Sequence, residues 1–320
     1  MVRQNVWLCG FGSAHAVSCC RSSRRISTQQ RERLTRLRGV KMEPVGFVGL
    51  GTIGGVVARN ILQAGYAMVV YDIAPEAARK LTEGGARFAE SAAAVARDCR
   101  VVFTSLPGPR EVEAVALGEH GLVHGVRDRS IYVDLSSSRA DLIRRIGAEF
   151  ATRGGWVMDA PLIVGRKGIA NRSVQVLASG SAEAYGEVKP LFDAFSDTVV
   201  YTGDLGTGTV IKLAHNLVRR GIGLAIGEGL VLGAKAGVDP ELLWDCMHWG
   251  LDVQLNQLKN HFSDTVFTGN YEHPASFGIG LSRKDVGLAT DLGRQQNVPM
   301  PIAALVEQFM IHAISRGWSE

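Results

Sequence analysis

The stretch VGFVGLGTIGGVVARN, residues 45–60, joins a short apolar segment to three spaced glycines, Gly49, Gly51 and Gly54. Where such glycines follow a strand and open a helix, the first permits a tight turn and the second lets backbone approach a phosphate. The third lets the helix pack close to the strand, and free amide N–H groups at the helix N-terminus attract the anion. The motif alone is weak support for a dinucleotide site, because the pattern also arises by chance.

A carboxylate 18 residues beyond Gly54 strengthens this interpretation, because the second predicted strand, MVVYD, ends at Asp72. A carboxylate at that place can accept hydrogen bonds from both ribose hydroxyls of an adenosine half. It would also repel a 2′-phosphate, and the segment YDIAPE contains no arginine to bind one. The spacing therefore predicts NAD rather than NADP. The alternative is an aspartate that only caps the following turn.

A second group of polar residues lies in GTGTVIKLAHN, residues 206–216. Lys212 and Asn216 are four residues apart, so on a helix they share one face. Gly206 and Gly208, at the start of that helix, would let another backbone come close. A helical lysine is most often an ordinary solvated side chain, so Lys212 gains a functional meaning only from the pattern around it.

Two kinds of segment must position these residues. From Val45 onward, short β-branched segments alternate with alanine-rich segments of helical character, such as TIGGVVARNILQAG. This alternation predicts an α/β fold with an N-terminal Rossmann-type, doubly wound and mainly parallel sheet. The predicted strands are Val45–Gly49, Met68–Asp72, Val101–Ser105, Ile131–Asp134, Trp156–Asp159, Ser173–Leu177 and Thr198–Thr202.

Beyond Gly203 strand-like segments nearly vanish and helical spacing dominates, which predicts an all-helical C-terminal domain. Gly237, followed by VDPELLWDCM, predicts the end of one helix and an Asp-Pro start of the next. We therefore predict a basic extension over residues 1–42, an NAD-binding Rossmann-type domain over 43–203 and a helical substrate and oligomerisation domain over 204–320.

The composition is that of a globular protein, with 320 residues, 46% hydrophobic and 21% charged. No apolar run approaches the roughly 20 residues that a transmembrane helix needs, so no membrane span is predicted. The five cysteines, at positions 9, 19, 20, 99 and 246, show neither metal-ligand spacing nor the even number of a disulfide framework. These features favour a reducing compartment, and no metal site is predicted.

Residues 1–41 differ from the remainder of the chain. They contain nine basic side chains and one acidic one, a net charge of +8, which leaves −4 on the rest of a chain whose total is +4. Such a segment, rich in Arg and Ser, resembles a mitochondrial targeting sequence, and a basic arm could also contact nucleic acid. We favour a third interpretation, in which the protein starts at Met42 and is cytoplasmic, because a strand at Val45 needs nothing before it.

The chain contains, in this order, the segments GFVGLGTIGG, TSLPGP, DAPLIVGRKGIANRSVQVLASG, GTGTVIKLAHN and RKDVGLATDLG. Together they resemble the β-hydroxyacid dehydrogenase family, which includes 3-hydroxyisobutyrate and tartronate semialdehyde dehydrogenases. The resemblance covers nearly everything from Val45 to the C-terminus. It implies an enzyme that interconverts a β-hydroxyacid and the corresponding semialdehyde or keto acid by hydride transfer to a nicotinamide cofactor.

The resemblance also implies that Lys212 is the catalytic acid and base and that Asn216 orients the substrate or the lysine. Both match the family motif Gly-x-Gly-x-x-x-Lys-x-x-x-Asn. A lysine ammonium would polarise a carbonyl and protonate the developing alkoxide. The ordinary lysine pKa of roughly 10.4 is high for a base, so burial or nearby charge must lower it. His215 replaces the asparagine more usual in the family, and we assign it no catalytic role.

Further contacts around the cleft follow from the same resemblance. Ser136 and Ser137 correspond to the family's Asp-x-Ser-Thr and would contact substrate or nicotinamide, although such residues also cap helices. Lys284 would reach the cofactor cleft, and Leu106 and Pro107 would pack along the adenosine half. The predicted cofactor contacts are Gly49, Leu50, Gly51, Thr52, Ile53, Gly54, Asp72, Leu106, Pro107 and Lys284.

The substrate segment departs from the family pattern Asp-Ala-Pro-Val-Ser-Gly-Gly-x-x-Gly-Ala-x-x-Gly. Ile163 and Val164 replace the serine and the first glycine, which grip the substrate carboxylate, and Arg172 stands where glycine is usual. We expect Ile163, Val164 and Gly165 to contact the substrate. Either the pocket takes a bulkier or less polar substrate, with its carboxylate held by Arg166 or backbone amides, or the loop is repacked and the inherited substrate range does not apply.

We therefore predict a dehydrogenase that uses NAD, with NADP less favoured, on a small carboxylic acid, and that forms a homodimer or homotetramer. The first alternative is a reductase of imines or bulkier carbonyls, although imine reductases generally lack the lysine. A decarboxylating enzyme of the 6-phosphogluconate type would need a larger helical domain. The alternative of another class is a non-catalytic dinucleotide-binding scaffold with a basic arm for nucleic acid, a partner that we do not favour.

Overall fold

A computed structural model describes residues 43–262, 266–269 and 278–318 of the chain. The predicted basic extension, residues 1–42, lies outside these ranges. Strands and helices alternate in the first part of the described chain, and helices follow, as the sequence pattern predicts. In the described ranges, no helix is both long and apolar enough to cross a membrane.

Within the described ranges, nine strands form the sheet. They are β1 (Val45–Val48), β2 (Met68–Tyr71), β3 (Arg87–Phe88), β4 (Val101–Thr104), β5 (Ile131–Asp134), β6 (Trp156–Asp159), β7 (Leu162–Val164), β8 (Val174–Gly180) and β9 (Thr198–Tyr201). The order is β3-β2-β1-β4-β5-β6-β8-β7, with β9 paired to β8. The first six strands are parallel, β8 is antiparallel to both β6 and β7, and β9 is parallel to β8.

The described helices fall into two groups along the chain. Those that alternate with the strands are α1 (Gly54–Gln63), α2 (Arg79–Glu83), α3 (Ala92–Asp98), α4 (Pro109–Leu117), α5 (Ala140–Ala151) and α6 (Ala182–Phe195). Those that follow the last strand are α7 (Thr207–Lys235), α8 (Pro240–His261), α9 (Ile279–Gln295) and α10 (Pro301–Ser315).

Each face of the sheet carries its own apolar core. Side chains of α1 and α6 pack with Phe47 and Phe103 on one face. Side chains of α3, α4 and α5 pack with Val48 and Val102 on the other. Neighbouring residues of one strand enter different cores because side chains alternate between the faces of a sheet. The doubly wound arrangement predicted from the sequence is confirmed.

Two strands were missed by the sequence prediction, and a third is longer than predicted. β3 has only two residues, Arg87 and Phe88, both exposed at the sheet edge, so no hydrophobic pattern marks it. β7 has three residues that pair with β8. β8 continues through Ala178, Ser179 and Gly180, small residues that favour a loop by propensity but here pair with β6 and β9.

Helix α7 begins on the sheet itself. Gly206, with φ of 93°, turns the chain into the helix. A Cβ at Gly208 would lie 2.2 Å from the carbonyl oxygen of Leu177 in β8, so only glycine allows this approach. At the other end Gly237 has φ of 92°, and Asp239 Oδ1 then accepts hydrogen bonds of 3.0 Å from two amide N–H groups at the start of α8. The predicted helix stop and start are confirmed.

The tight approach of α7 to β8 leads to a stability prediction. Gly208→Ala puts a methyl group against the Leu177 backbone, and backbone cannot rotate away, so the free energy of unfolding should fall by about 1–3 kcal/mol. Gly221→Ala, in the same helix but with open space at its Cβ position, is the control and should gain about 0.5–1 kcal/mol. Urea unfolding measures both. An equal response of the two variants would contradict the docked geometry.

Candidate active site

The glycine loop between β1 and α1 has three different requirements at its three glycines. Gly49 has φ of 88°, and its N–H donates to the Tyr71 carbonyl across 3.0 Å. A Cβ at Gly54 would lie 2.0 Å from the Gly49 carbonyl oxygen, so the third glycine lets α1 start against the end of the strand. Gly51 has nothing within 4 Å of its Cβ position, which leaves its backbone open to a ligand.

Asp72, just after β2, is tied to that loop. One carboxylate oxygen accepts from the Leu50 N–H across 2.6 Å and the other from the Ala74 N–H across 2.9 Å. The side chain is only partly buried and lines the open space in front of the loop. Asp72 therefore both closes a turn and presents its carboxylate, so the two interpretations of this residue are compatible.

A cavity of about 470 Å³ lies at the carboxyl ends of β1, β2 and β4. Every predicted cofactor contact except Leu50 and Lys284 lines this cavity. Leu50 is buried, and its N–H donates a hydrogen bond to Asp72, which is a lining residue. Thr52 and Ile53 lie at its mouth, and α4 contributes Glu111. A cavity of this size, with glycine backbone on one wall and a carboxylate on another, fits a dinucleotide. Its lining is Val48, Gly49, Gly51, Thr52, Ile53, Gly54, Tyr71, Asp72, Ile73, Ser105, Leu106, Pro107, Glu111, Ala114 and Val115.

Ser136 connects this cavity to the next strand. Its hydroxyl, which is buried, accepts from the Leu106 N–H across 2.9 Å and so holds the loop that lines the cavity. Ser137 is exposed at the same strand end. Neither serine caps α5, whose N-cap residue is Arg139 and whose first turn receives no side-chain capping hydrogen bond. The helix-capping alternative is therefore wrong.

Asp134, at the end of β5, is buried beside Ser136. Its Oδ1 accepts from the Thr104 hydroxyl across 2.8 Å and from the Ser136 N–H across 3.1 Å, while Oδ2 has no hydrogen-bond partner among the described residues. Burial raises the pKa of this carboxyl, and the nearby Asp159 raises it further. The shift favours the neutral acid, which costs less to keep out of water than a carboxylate does.

Asp159, at the end of β6, is 1% exposed and holds the start of α7. Its Oδ1 accepts from the Gly206 N–H across 2.7 Å and from the Ser179 hydroxyl, and its Oδ2 accepts from the Thr209 N–H across 2.6 Å. The Thr209 hydroxyl is buried and has no partner among the described residues. A negative side chain at a helix N-terminus also interacts favourably with the helix dipole.

Lys212 lies one turn further along α7 and is partly buried. Its Nζ donates to the Leu162 carbonyl of β7 across 2.5 Å. Desolvation by burial lowers the pKa of this ammonium, and the positive charge of Arg219, two turns on, lowers it further. Both effects favour the neutral amine that a general base needs. Asn216 and His215 follow on the same helix, and both are partly buried.

The residues that replace the usual carboxylate-binding loop form strand β7 instead. Ile163 pairs with Gln175 and Val164 with Val174, and Val164 is 47% exposed. Gly165 follows, with its N–H bonded to the Ser173 carbonyl across 2.8 Å. Because Lys212 bonds to Leu162, the structure brings the lysine to the same short strand that carries Ile163 and Val164.

Arg172 is explained by its backbone rather than by a ligand. Its φ is 60°, in the left-handed region that favours glycine, which accounts for the glycine usual in the family. Its guanidinium pairs with Asp197 across 2.9 Å and donates to the Ser196 carbonyl. Arg166, one alternative holder of a substrate carboxylate, is exposed in the turn after β7.

Lys284 is not brought to this site within the described chain. It lies on α9 with its side chain 61% exposed and its Nζ 3.3 Å from an oxygen of Asp285. It is not among the residues that line the cavity. Its predicted role at the cofactor stays a prediction.

Two family models match this chain, one over the strands and the helices between them and one over the helices that follow. The family model described as the NAD binding domain of 6-phosphogluconate dehydrogenase matches residues 44–203, which end two residues after β9. The model described as the NAD-binding domain of NADP-dependent 3-hydroxyisobutyrate dehydrogenase matches residues 206–319. The chain belongs to the β-hydroxyacid dehydrogenase family. It is an oxidoreductase of the kind that uses a nicotinamide dinucleotide, and the cavity at the glycine loop is the place that fits one.

Two curated members of this family are similar to the chain over most of its length. The 3-hydroxyisobutyrate dehydrogenase of Pseudomonas aeruginosa is 29% identical over 279 residues, which cover 85% of this chain and 93% of that protein. The mitochondrial 3-hydroxyisobutyrate dehydrogenase of Mus musculus is 28% identical over 283 residues, which cover 87% and 84%. Among solved structures, an imine reductase from Pseudomonas sp. has a TM-score of 0.75 at 21% identity, with 88% and 96% covered. That likeness shows a shared fold.

Sequence reasoning assigned no role to two buried aspartates of this chain, Asp134 and Asp159. Each ends a predicted strand, and an aspartate at the carboxyl end of a parallel strand is a recognisable signal. What the sequence does not show is the partner, because Asp159 lies 47 residues from Gly206 and 50 from Thr209. No group of three or more His, Cys, Asp or Glu residues in the described ranges is placed to hold a metal.

The position of Arg219 leads to a pH prediction. Arg219→Gln removes the charge that lowers the pKa of Lys212, so that pKa should rise toward the ordinary lysine value. At a given pH less Lys212 is then neutral, and its reactivity profile moves to higher pH. Competitive acetylation of Lys212 across a pH series, read by mass spectrometry, measures the shift. Arg220→Gln, which changes the neighbouring face of the helix, is the control. A profile that moves equally in both variants would contradict the assignment.

Proposed function

We propose that this dehydrogenase uses NAD to oxidise a β-hydroxyacid to the corresponding semialdehyde or keto acid, and catalyses the reverse reduction, with Lys212 as acid and base. The observation that carries the proposal is the placement of Lys212. The partly buried lysine, with a lowered pKa, is held by the Leu162 carbonyl of β7, three residues after Asp159 at the carboxyl end of β6.

The reaction requires the protein to position the substrate and the cofactor and to transfer a proton. A bound nicotinamide dinucleotide supplies the acceptor and donor of hydride. In the oxidation direction the neutral amine of Lys212 takes the hydroxyl proton as the carbon loses hydride. In the reduction direction the ammonium polarises the carbonyl and returns that proton to the alkoxide. Asn216, on the same helix face, is proposed to orient the substrate with its amide.

The preference for NAD rests on Asp72. Its carboxylate faces the dinucleotide cavity at the place where a ribose hydroxyl pair would bind, and a phosphate there would meet a negative charge. Ile73, which follows Asp72 and also lines the cavity, is apolar and brings no compensating positive charge. NADP is therefore proposed as the poorer cofactor.

The substrate is proposed to be a small carboxylic acid with an apolar substituent. Ile163 and Val164 present branched side chains on the strand that Lys212 contacts, where the family pattern has a hydroxyl and a glycine. Apolar contacts favour a larger hydrocarbon group on the substrate. The carboxylate is proposed to bind amide N–H groups near Gly165 together with the serines at the end of β5, of which Ser137 is exposed.

A second candidate is reduction of imines or bulkier carbonyls. It is favoured by the likeness in fold to the imine reductase from Pseudomonas sp. and by the apolar residues of β7. The lowered pKa of Lys212, which lies beside β7, favours the hydroxyacid reaction instead, because hydroxyl oxidation releases a proton that a base must take.

NADH formation tests the function directly. The full chain is assayed with 3-hydroxyisobutyrate, serine, glycerate, 3-hydroxypropionate and bulkier 3-hydroxyacids, each with NAD and with NADP. Turnover should be faster with NAD, and Lys212→Ala should lower kcat by about 10²–10⁴-fold. Lys235→Ala, an exposed lysine in the last turn of the same helix, is the matched control and should keep full activity. Tight NADH binding without turnover of any acid would sink the hydroxyacid assignment and move the imine reaction ahead.

We also propose that the protein is a homo-oligomer built through the helices that follow the sheet. Large apolar side chains stand exposed on α7 and α10, among them Leu217 at 74% and Phe309 at 68%. Single-chain proteins seldom expose apolar patches of more than a few hundred Å². A second copy that packs its own helices on these residues would remove them from water.

Sedimentation equilibrium tests the assembly. The full chain should have the mass of a dimer or tetramer, and Leu305→Lys combined with Phe309→Lys should shift it toward the monomer by burying charge in the interface. Glu83→Lys, an exposed charge change on α2, is the control and should leave the mass unchanged. A monomeric wild-type chain would refute the proposal.

A further inference from the structure

We propose that Asp159 is the positioning residue that holds Lys212 in its reacting geometry, an inference that rests on the proposed role of Lys212. Asp159 does not itself contact Lys212 through a hydrogen bond of the described structure. It acts on the lysine through the first turn of α7, which it binds at two backbone N–H groups.

The carboxylate of Asp159 is fully committed to this attachment. It is 1% exposed, and its three hydrogen-bond donors are the Gly206 N–H, the Thr209 N–H and the Ser179 hydroxyl. Removing a carboxylate from water costs several kcal/mol, which only good hydrogen bonds offset. If the start of α7 left Asp159, the buried carboxylate would keep only the Ser179 hydroxyl as a hydrogen-bond donor among the described residues.

The same short segment also holds Lys212. Asp159 ends β6, and three residues later Leu162 begins β7 and accepts the Lys212 hydrogen bond. Helix α7 is thus attached to residues 159–162 at two points, Thr209 and Lys212, which are separated by about 4.5 Å along the helix axis. Two attachments to one rigid segment set both the height and the rotation of the helix, and with them the position of Nζ.

Small errors in that position are costly for the reaction. A reacting group displaced by about 1 Å can lose about 100-fold in rate. Gly208 restricts the helix start from a second side, because its backbone lies against the Leu177 carbonyl. The carboxylate and the glycine contact together leave the first turn of α7 a single docked position.

An amide cannot replace the carboxylate in this role. Asp159 accepts on both oxygens and donates on neither. In Asp159→Asn the NH₂ group must face either the Gly206 N–H or the Thr209 N–H, so a donor meets a donor and one attachment is lost. The variant has nearly the same shape, so the loss is electrostatic and directional rather than a cavity.

The test compares Asp159→Asn with Val188→Ala in the full chain. Val188 is fully buried on α6 in the core on one face of the sheet, so its truncation destabilises the fold without touching α7. We expect Asp159→Asn to lower kcat about 10-fold to 100-fold, to leave the Kd for NADH unchanged and to raise the acetylation rate of Lys212, which is freed from Leu162. Val188→Ala should change thermal stability alone.

Three results would overturn the positioning role. They are a wild-type kcat with wild-type Lys212 labelling in Asp159→Asn, a parallel rise in Lys212 labelling in Val188→Ala, and an equal loss of kcat in both variants. If Asp159→Asn does not fold, Gly208→Ala displaces the same turn, and unchanged labelling of Lys212 in that variant overturns the proposal. Full turnover by Lys212→Ala would instead contradict the proposed function. The labelling comparison needs no substrate, so it would still show whether Asp159 determines the position of Lys212.

Discussion

The buried carboxylate of Asp159, bonded to the first turn of α7, joins the two parts of this molecule. Strand β6 ends there, and the contact places the start of the longest described helix at the carboxyl end of β6 and against the Leu177 carbonyl of the antiparallel strand β8. A buried carboxylate must be satisfied on all sides or it costs several kcal/mol, so the attachment is directional as well as strong. The position of Lys212 beside β7 depends on it, and so does the chemistry proposed for that lysine.

The two halves of the candidate site share one edge of the sheet because its first six strands are parallel. β1, β2 and β4 end at the dinucleotide cavity, and β5 and β6 end at Asp134 and Asp159. The Ser136 hydroxyl connects the two halves, because it accepts a hydrogen bond from the Leu106 N–H in the loop that lines the cavity. Ligands bind at this edge in open parallel sheets because the loops and helix N-termini converge there. We propose that the Asp72 carboxylate, which lines the cavity, binds the cofactor and that Lys212, with its lowered pKa, transfers the proton.

Family membership and the geometry of the glycine loop indicate the same class of enzyme. The features particular to this chain lie in the segment that contains β7 and Arg172. β7 is a strand formed by branched side chains where relatives of this type have a serine and glycines. Arg172 adopts a left-handed backbone conformation that glycine would adopt without strain, and its guanidinium forms an ion pair with Asp197. The chain therefore differs from the family pattern in the shape and polarity of the β7 segment, whereas α7 keeps the family's Gly-x-Gly-x-x-x-Lys-x-x-x-Asn pattern.

The sequence by itself determined the features that depend on neighbours along the chain. Some features act within a few residues, so residue types and order suffice for them. They are the glycine spacing after a strand, the aspartate at a strand end, Gly237 and Asp239 at a helix boundary, and the short β-branched segments that become buried strands. The tertiary structure alone decided the rest. The three residues of β7 become a strand only by pairing with β8, and the backbone donors to Asp159 come from 47 and 50 residues away. Such contacts form between segments distant in sequence, and the free energy that selects them comes from packing and from satisfying buried polar groups, which no local pattern records.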